Sequence, residues 1–361
     1  AQRRRGDAAT IVSLDPADAH EHDATTVVRG RRSHGYGYAP DYVPWLRAHA
    51  RDFDAVVVHG MWQYQAFGAW RALAGGRTPY VVYCHGMLDV WFKRAHPLKH
   101  AKKWLYWPWA EYRVLRDAAA VCFTAEEERR RARESFWLYR ARERVTPIGI
   151  DAPGRDAERE RAAFFAAQPQ LRDQAFILFL GRIHPKKGID LLLQGYAAAF
   201  GGASAVGAPR LVIAGPGSDE SHRRQLETQA ADLGIASAVT WLPMLSGDVK
   251  WGALRACEAF ALISHQENFG VAVVEALACG RPVLLSDQIA ICREIEADGA
   301  GLIGPDTPDA AAGLLTRWRG LGAPARAVMS AAARRCFQER YEIGCAADAL
   351  AGLIGEVKGR A

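Results

Sequence analysis

No uninterrupted apolar run in this 361-residue chain approaches the ~18 residues that a membrane span needs; the longest strand-like runs are of the AFILFL kind at 175–180. A bilayer-crossing helix is therefore excluded. The first residues, AQRRRGDAATIVSLDP, are basic but hold neither an apolar core nor a small-residue cleavage site, so a secretory signal is not expected. The seven cysteines (Cys84, Cys122, Cys257, Cys279, Cys292, Cys336 and Cys345) are odd in number and scattered, with no CxxC and no His/Cys cluster at ligand spacing. That pattern argues against a disulfide framework or a zinc site and for reduced thiols in a cytoplasmic protein. The string Gly215-Pro216-Gly217-Ser218-Asp219-Glu220 lacks the third glycine of GxGxxG, which disfavours a dinucleotide oxidoreductase. The one D-x-D string, Asp52-Phe53-Asp54, precedes the apolar run AVVV and so falls at the amino end of a strand, where a turn is the better account than a metal site.

What is present is an α/β pattern. Half of the residues are apolar and 24% are charged, close to the globular average, and the length suits two domains at roughly 150 residues each. Short apolar runs alternate with helical patterns, the signature of βαβ units and parallel sheets. The first half offers AVVV at 55–58, PYVVYC at 79–84, AAVCF at 119–123 and RVTPIG at 144–149. The second offers AFILFL at 175–180, RLVIA at 210–214, AVTWL at 238–242, EAFALI at 258–263, PVLLS at 282–286 and AGLI at 300–303. Six runs complete a doubly wound sheet, so the first half must form another. The expected organisation is a domain over 1–150, a charge-rich linker over 151–170, a second domain over 171–336, and a terminal helix over 337–361 packing back on the first domain.

Ligands of open parallel sheets bind beyond the carboxyl ends of the strands, and here the residues that follow each run are polar. AVVV ends in His59-Gly60, PYVVYC in His85-Gly86, AFILFL in Gly181-Arg182, RLVIA in Gly215-Pro216-Gly217, and EAFALI in Ser264 through Glu267. Both sheets are expected to aim these residues at a shared cleft. In GRIHPKKG (181–188), Arg182 and Lys187 stand on one loop and suit a diphosphate, the arginine as a bidentate fork and the lysine as a point charge. In HQENFGVAVVEALACG (265–280), Asn268 is expected to cap a helix whose first turn holds Phe269, Gly270 and Val271, with Gly280 and Pro282 stopping it. The free amides and the dipole at that helix start form an anion site. Glu267 precedes the helix and Glu275 lies within its second turn; beside Val274, Ala276 and Leu277, Glu275 requires a partner.

The combination of GRIHPKKG, IAGPG, the E-x7-E pair in ENFGVAVVEA, and ACGRPVLLSD resembles the carboxyl half of the family-4 retaining glycosyltransferases of the GT-B fold. VHGMWQYQ (58–65) and CHGMLDVWFKR (84–94) are similar to the acceptor-side loops of bacterial polysaccharide glycosyltransferases in that family. The resemblance implies two Rossmann-like domains facing a cleft and a UDP- or GDP-linked hexose donor in the second. It implies a diphosphate held by Arg182, Lys187 and the amides of Phe269 to Val271, with Gly181, Gly215 and Asn268 nearby; Glu267 on the sugar hydroxyls; and Glu275 on the ribose. Pro243 and Met244, in LPML at 242–245, fall in the loop near the base, with a proline where the family pattern has a glycine. His85 would stand near the reacting centre, with His59 and Trp62 beside it on the acceptor side. Against the family pattern the chain begins inside a helix, and a first strand with its glycine-rich loop is expected to be missing.

Breaking an anomeric C–O bond builds negative charge on the nucleoside diphosphate, and Arg182, Lys187 and the helix start would meet that charge without a metal or other cofactor. For His85, a neutral imidazole bonding the sugar or the departing phosphate stands against a structural histidine. The net charge of +6 is concentrated between Trp91 and Arg116, where Lys93, Arg94, Lys99, Lys102, Lys103, Arg113 and Arg116 face one acid, Glu111, among Trp91, Phe92, Trp104, Tyr106, Trp107, Trp109 and Tyr112. Such a segment suits an anionic membrane surface, and nothing else here resembles a nucleic-acid module. The expected protein is a cytoplasmic, peripherally membrane-associated retaining transferase of exopolysaccharide or lipid-linked glycan synthesis, its acceptor a glycan or a polyprenyl-diphosphate-linked glycan. The alternatives are a nucleotide-sugar epimerase or hydrolase, and a degenerate sugar-binding partner subunit.

Overall fold

All ten apolar runs form strands. A computed structural model of the chain describes residues 2–14, 25–27, 35–91, 93, 97–154, 156–201, 207–217 and 219–359. The strands, in chain order, are β1 (Ile11–Ser13), β2 (Thr25–Val27), β3 (Val56–His59), β4 (Tyr80–Tyr83), β5 (Ala120–Phe123), β6 (Glu143–Val145), β7 (Phe176–Leu180), β8 (Arg210–Ala214), β9 (Val239–Leu242), β10 (Ala259–Leu262), β11 (Val283–Ser286) and β12 (Gly301–Gly304). The run RVTPIG is strand only up to Val145; Pro147, two residues on, has no N–H to give a ladder. Every pairing is parallel: β3-β4-β5-β6 in one sheet, β12-β11-β10-β7-β8-β9 in another, and a small β1-β2 pair. The chain separates into two compact units, Ala1–Ile148 with Ile343–Ala361, and Gly149–Glu342.

In the four-stranded unit, alternate residues of the strands point to two different covers. Val82, Val121 and Phe123 lie under Trp107, Val114 and Leu115, while Val81, Tyr83, Ala120 and Cys122 pack on Leu353 and Val357 of the last helix, Ile343–Lys358. The alternation follows from the two-residue period of a strand. Lys358 closes this face by pairing with Asp54 at 2.6 Å, so the D-x-D string is held by a cation at the amino end of β3.

In the six-stranded unit β7, β10 and β11 are buried along their whole length, as expected of a parallel sheet covered on both faces. The stretch 151–170, expected to link two domains, holds a helix, Ala157–Ala167, that belongs to this unit. Asp156 caps it by accepting from Arg159 N at 2.9 Å, Phe164 is fully buried, and the buried Glu160 pairs with Arg255 of the helix Gly247–Ala256. Its charge pattern therefore describes one outward face and one internal ion pair.

Candidate functional site

Strand order reverses between β7 and β10: β7 leads to β8 and β9 on one side, β10 to β11 and β12 on the other. At such a switch the loops leaving the two central strands diverge and open a crevice at their carboxyl ends. The loops at this switch are 181–188 and 263–270, the two strings singled out by sequence. They are tied to each other by backbone: His265 N donates to Lys186 O at 2.9 Å, and the Ser264 hydroxyl donates to the same carbonyl at 2.8 Å. Ser264 is itself fixed from below, its own carbonyl accepting from the buried Ser286 hydroxyl at 2.5 Å.

On this scaffold Lys187 Nζ donates to the Glu267 carboxylate, both side chains about four-fifths buried. Arg182 is exposed, and its guanidinium makes no hydrogen bond or ion pair with any described residue. Gly181 and Gly215 touch back to back. A Cβ on Gly215 would sit 1.8 Å from the Gly181 carbonyl oxygen, and one on Gly188 (φ +60°) would sit 1.9 Å from that of Ile263. No side chain fits at either position, so the floor beneath Arg182 and Lys187 is bare backbone.

The helix after Glu267 is Val271–Ala278, and its cap is Gly270 with φ +73°, not Asn268. The correction has a physical cause. Glu267 is held extended by two backbone bonds, its N–H donating to Gln288 O at 3.2 Å and its carbonyl accepting from Ala290 N at 3.0 Å, so the chain is not yet helical at Asn268. Phe269 then turns inward, buried edge-on against Tyr341 at 5.8 Å. Gly270 O accepts from Val273 N and Val274 N, which leaves the amides of Val271 and Ala272 without intrahelical partners. Glu275 finds its partner in Lys250 of the helix Gly247–Ala256, 2.6 Å from its Oε1; the ammonium also lies 4.4 Å from the centre of the Trp251 ring. Lys250 was not identified from sequence. Pro243 and Met244 are exposed on the loop after β9, anchored by the buried Leu242 and Leu245.

In the four-stranded unit His59 ends β3 and His85 follows β4 by two residues. His59 Nδ1 and His85 Nε2 are 2.9 Å apart in one hydrogen bond; their rings stack 5.2 Å from each other, and 5.3 Å and 5.7 Å from the ring of Tyr83. Burial, and then the neighbouring His59, push His85 down to about 4. Among the described residues the only non-glycine positive φ angles are those of Trp62 (69°) and His85 (49°), two of the residues expected on the acceptor side. Strain of this kind persists only where surroundings enforce it. Here Trp62 N donates to Glu111 Oε1 at 2.9 Å, Trp62 Nε1 to Met87 O at 3.1 Å, and Gly86 N to Glu128 Oε1 at 2.6 Å. Glu128 also accepts from the backbone and hydroxyl of Thr124. Glu128 and the roles of Glu111 were likewise missed; the signal for Glu111 was its isolation as the one acid among seven bases.

The basic aromatic segment does not act as one surface. Trp107 is fully buried, stacked on Phe136 at 4.1 Å, and Lys103 reaches inward to lie 4.3 Å from the centre of the Trp62 ring. Leu98, Leu105 and Trp109 are 83%, 78% and 70% exposed, with Lys93 and Lys102 also outward. Phe92 and Arg94 lie outside the described residues, as does the side chain of Lys99.

Two family models tile the chain: "Glycosyl transferase 4-like domain" over residues 1–149 and "Glycosyl transferases group 1" over 160–335. The D-inositol 3-phosphate glycosyltransferase of Stackebrandtia nassauensis is 31% identical over 276 residues, 72% of this chain and 59% of that protein. The chain spans about half the length of the curated relatives it matches. Among solved structures, sucrose-phosphate synthase from Thermosynechococcus elongatus aligns with a TM-score of 0.72 at 19% identity, over 95% of this chain and 86% of that one. HepE from Anabaena, in complex with UDP and glucose, aligns with a TM-score of 0.70 at 17% identity, over 92% and 86%. Those identities speak to fold alone. The switch-point loops, the E-x7-E pair with one carboxylate before the helix and one within it, and the two family models that together span most of the sequence lead to one conclusion: the chain belongs to the family-4 glycosyltransferases with the GT-B fold.

Proposed function

We propose that the protein is a retaining hexosyltransferase that takes its sugar from a nucleoside diphosphate and adds it to a growing polysaccharide or a lipid-linked glycan. The observation that carries this reading is the convergence of Arg182, Lys187, Glu267 and the unpartnered amides of Val271 and Ala272 at one strand-order switch. A diphosphate needs cations and N–H donors, and a hexose needs a carboxylate for its hydroxyls; both sets stand on the same carboxyl edge.

In this reading the diphosphate draws Lys187 from its pair with Glu267, and the sugar hydroxyls donate to the carboxylate so released. As the anomeric C–O bond breaks, negative charge grows on the leaving phosphate, where Arg182, the released Lys187 and the helix start would meet it; interactions of this kind act more strongly on the transition state than on the bound donor. These positive groups would supply the charge stabilisation without a metal. Glu275, steadied by Lys250, accepts from the ribose hydroxyls, and Pro243 and Met244 border the base. His85, neutral at pH 7, bonds the sugar or the departing phosphate on the acceptor side, with His59 and Trp62 beside it. The exposed Leu98, Leu105 and Trp109, with Lys93 and Lys102, would rest on an anionic membrane surface where a lipid-linked acceptor is found. Among the described residues no helix is long and apolar enough to cross a membrane.

Thermal-shift titration with UDP, GDP, ADP and their hexose conjugates tests the reading, UDP-glucose first because HepE was solved with UDP and glucose. A hundredfold excess over Kd stabilises by about 2.7 kcal/mol. One base family should stabilise the wild type, Glu275→Ala should weaken that response, and Arg182→Ala should lower turnover more than binding. A wild type that responds to no nucleotide would favour the sugar-binding partner subunit over the enzyme.

A further inference from the structure

The acceptor-side unit contains a buried carboxylate for which the reading above has no use. Glu111 opens the helix Glu111–Asp117 and is 0% exposed. Its Oε1 accepts from Trp62 N, while its Oε2 is buried without a hydrogen-bond partner. An oxygen left so costs about 1–3 kcal/mol, so the group must be needed for what its other oxygen holds. What it holds is a strained residue. Trp62 sits at φ 69°, and its indole spans to the neighbouring loop, donating to Met87 O, while Met61 N approaches Met87 Sδ at 3.1 Å. Met87 is two residues beyond His85, which is itself at φ 49° and bonded to His59. A continuous chain of contacts therefore runs from Glu111 through the backbone and indole of Trp62 to Met87 and the turn that carries His85. Lys103 from the preceding helix, the hydroxyl-bonded pair Tyr36 and Tyr106, and the buried thiol of Cys84 are titratable groups that act on this carboxyl.

We infer that Glu111 is a positioning residue: by accepting from Trp62 N it holds the two strained loops in register and so fixes the His59–His85 pair for the acceptor-side chemistry. The carboxyl is pushed up to about 7 by burial, against the hydrogen bond from Trp62 and the charge of Lys103, and a hydrogen-bond acceptor is present in either protonation state. The role in catalysis rests on the proposed function, but the positioning of His85 does not.

Full-length protein labelled with 15N-histidine separates the two. In Glu111→Met, which fills the same volume without an acceptor, the pKa of His85 should climb from about 4 toward the ordinary 6.5 as the pair loosens, while His184 and His265 of the six-stranded unit keep their signals. Glu111→Gln, which retains an acceptor, should restore the wild-type His85 signal. With UDP-glucose as donor probe, Glu111→Met should lower the rate of UDP release about tenfold or more with donor KM unchanged. A folded Glu111→Met with His85 unmoved, or a Gln variant that behaves like Met, overturns the inference. If Glu111→Met melts at the assay temperature, Trp62→Phe carries the same test: loss of the indole bond to Met87 should move His85 likewise, and no movement overturns it. Should His85 respond as expected in a protein that turns over no donor, the positioning stands and the transferase reading fails.

Discussion

His85 makes acid sensitivity of the four-stranded unit calculable. Its folded-state pKa of about 4 lies below the ordinary 6.5, so between those values the unfolded chain binds more protons than the folded one. Stability is therefore fully present above pH 6.5 and is lost as pH falls toward 4. The full span sets an upper bound of about 3 kcal/mol and the part lost between pH 7.5 and pH 5 one of about 2 kcal/mol; solvent screening of this partly exposed ring brings the latter to about 1 kcal/mol. Other groups titrate too, so the perturbation is His85→Asn, which removes the titrating ring and keeps a residue that tolerates positive φ. The assay is urea unfolding at pH 7.5 and pH 5 followed by tryptophan fluorescence, which reports this unit because eight of the eleven tryptophans precede residue 149. Wild type should lose about 1 kcal/mol more than the Asn variant between the two pH values. Equal losses would refute the assignment of a depressed pKa to His85, and with it the view that its ring is neutral at pH 7.

Two further outcomes follow from local geometry. Gly188→Ala should destabilise the six-stranded unit by about 3 kcal/mol or more in chemical denaturation, because its Cβ has no room beside the Ile263 carbonyl and its φ is positive; a loss under about 1 kcal/mol, the cost of an unstrained surface change, would show that the two loops are not locked. The paired change Lys102→Glu with Trp109→Ser should at least halve binding to vesicles of phosphatidylcholine and phosphatidylglycerol without altering the melting temperature, and unaltered binding would retire the membrane surface proposal.

The strands were legible because parallel, doubly covered strands need short β-branched and apolar runs, and the residues that end them are polar where a ligand is to be met. The placement of Arg182, Lys187, Glu267 and Glu275 at the strand-order switch was legible for the same reason: each follows such a run or sits on the helix after it. What escaped was whatever depends on distant pairing. Nothing in the neighbourhood of Lys250 marks it as the partner of Glu275, 25 residues away on another helix. Glu128 lies in a run of acids and bases that reads as a solvated helix, yet it holds Gly86 and Thr124. The charge of 151–170 concealed a helix because one of its acids, Glu160, turns inward to Arg255. The start of the E-x7-E helix moved from Asn268 to Gly270 because backbone bonds from 288 and 290 hold Glu267 extended, a constraint no local pattern records.

The bare floor at Gly181, Gly188 and Gly215 has a consequence for redesign. Where carbonyl oxygens of one loop occupy the space a Cβ would take on another, the loops after β7, β8 and β10 behave as a single casting: a loop from a homologue that brings a side chain to position 188 or 215 displaces the backbone of its neighbour. The loop after β9 carries no such interlock, and Pro243 and Met244 stand in solvent. On the proposed reading, a change of nucleotide preference is therefore to be sought by varying residues 243 and 244 with the three-loop floor left whole, and a library confined to that loop should retain folded members at a rate that one aimed at the floor cannot match.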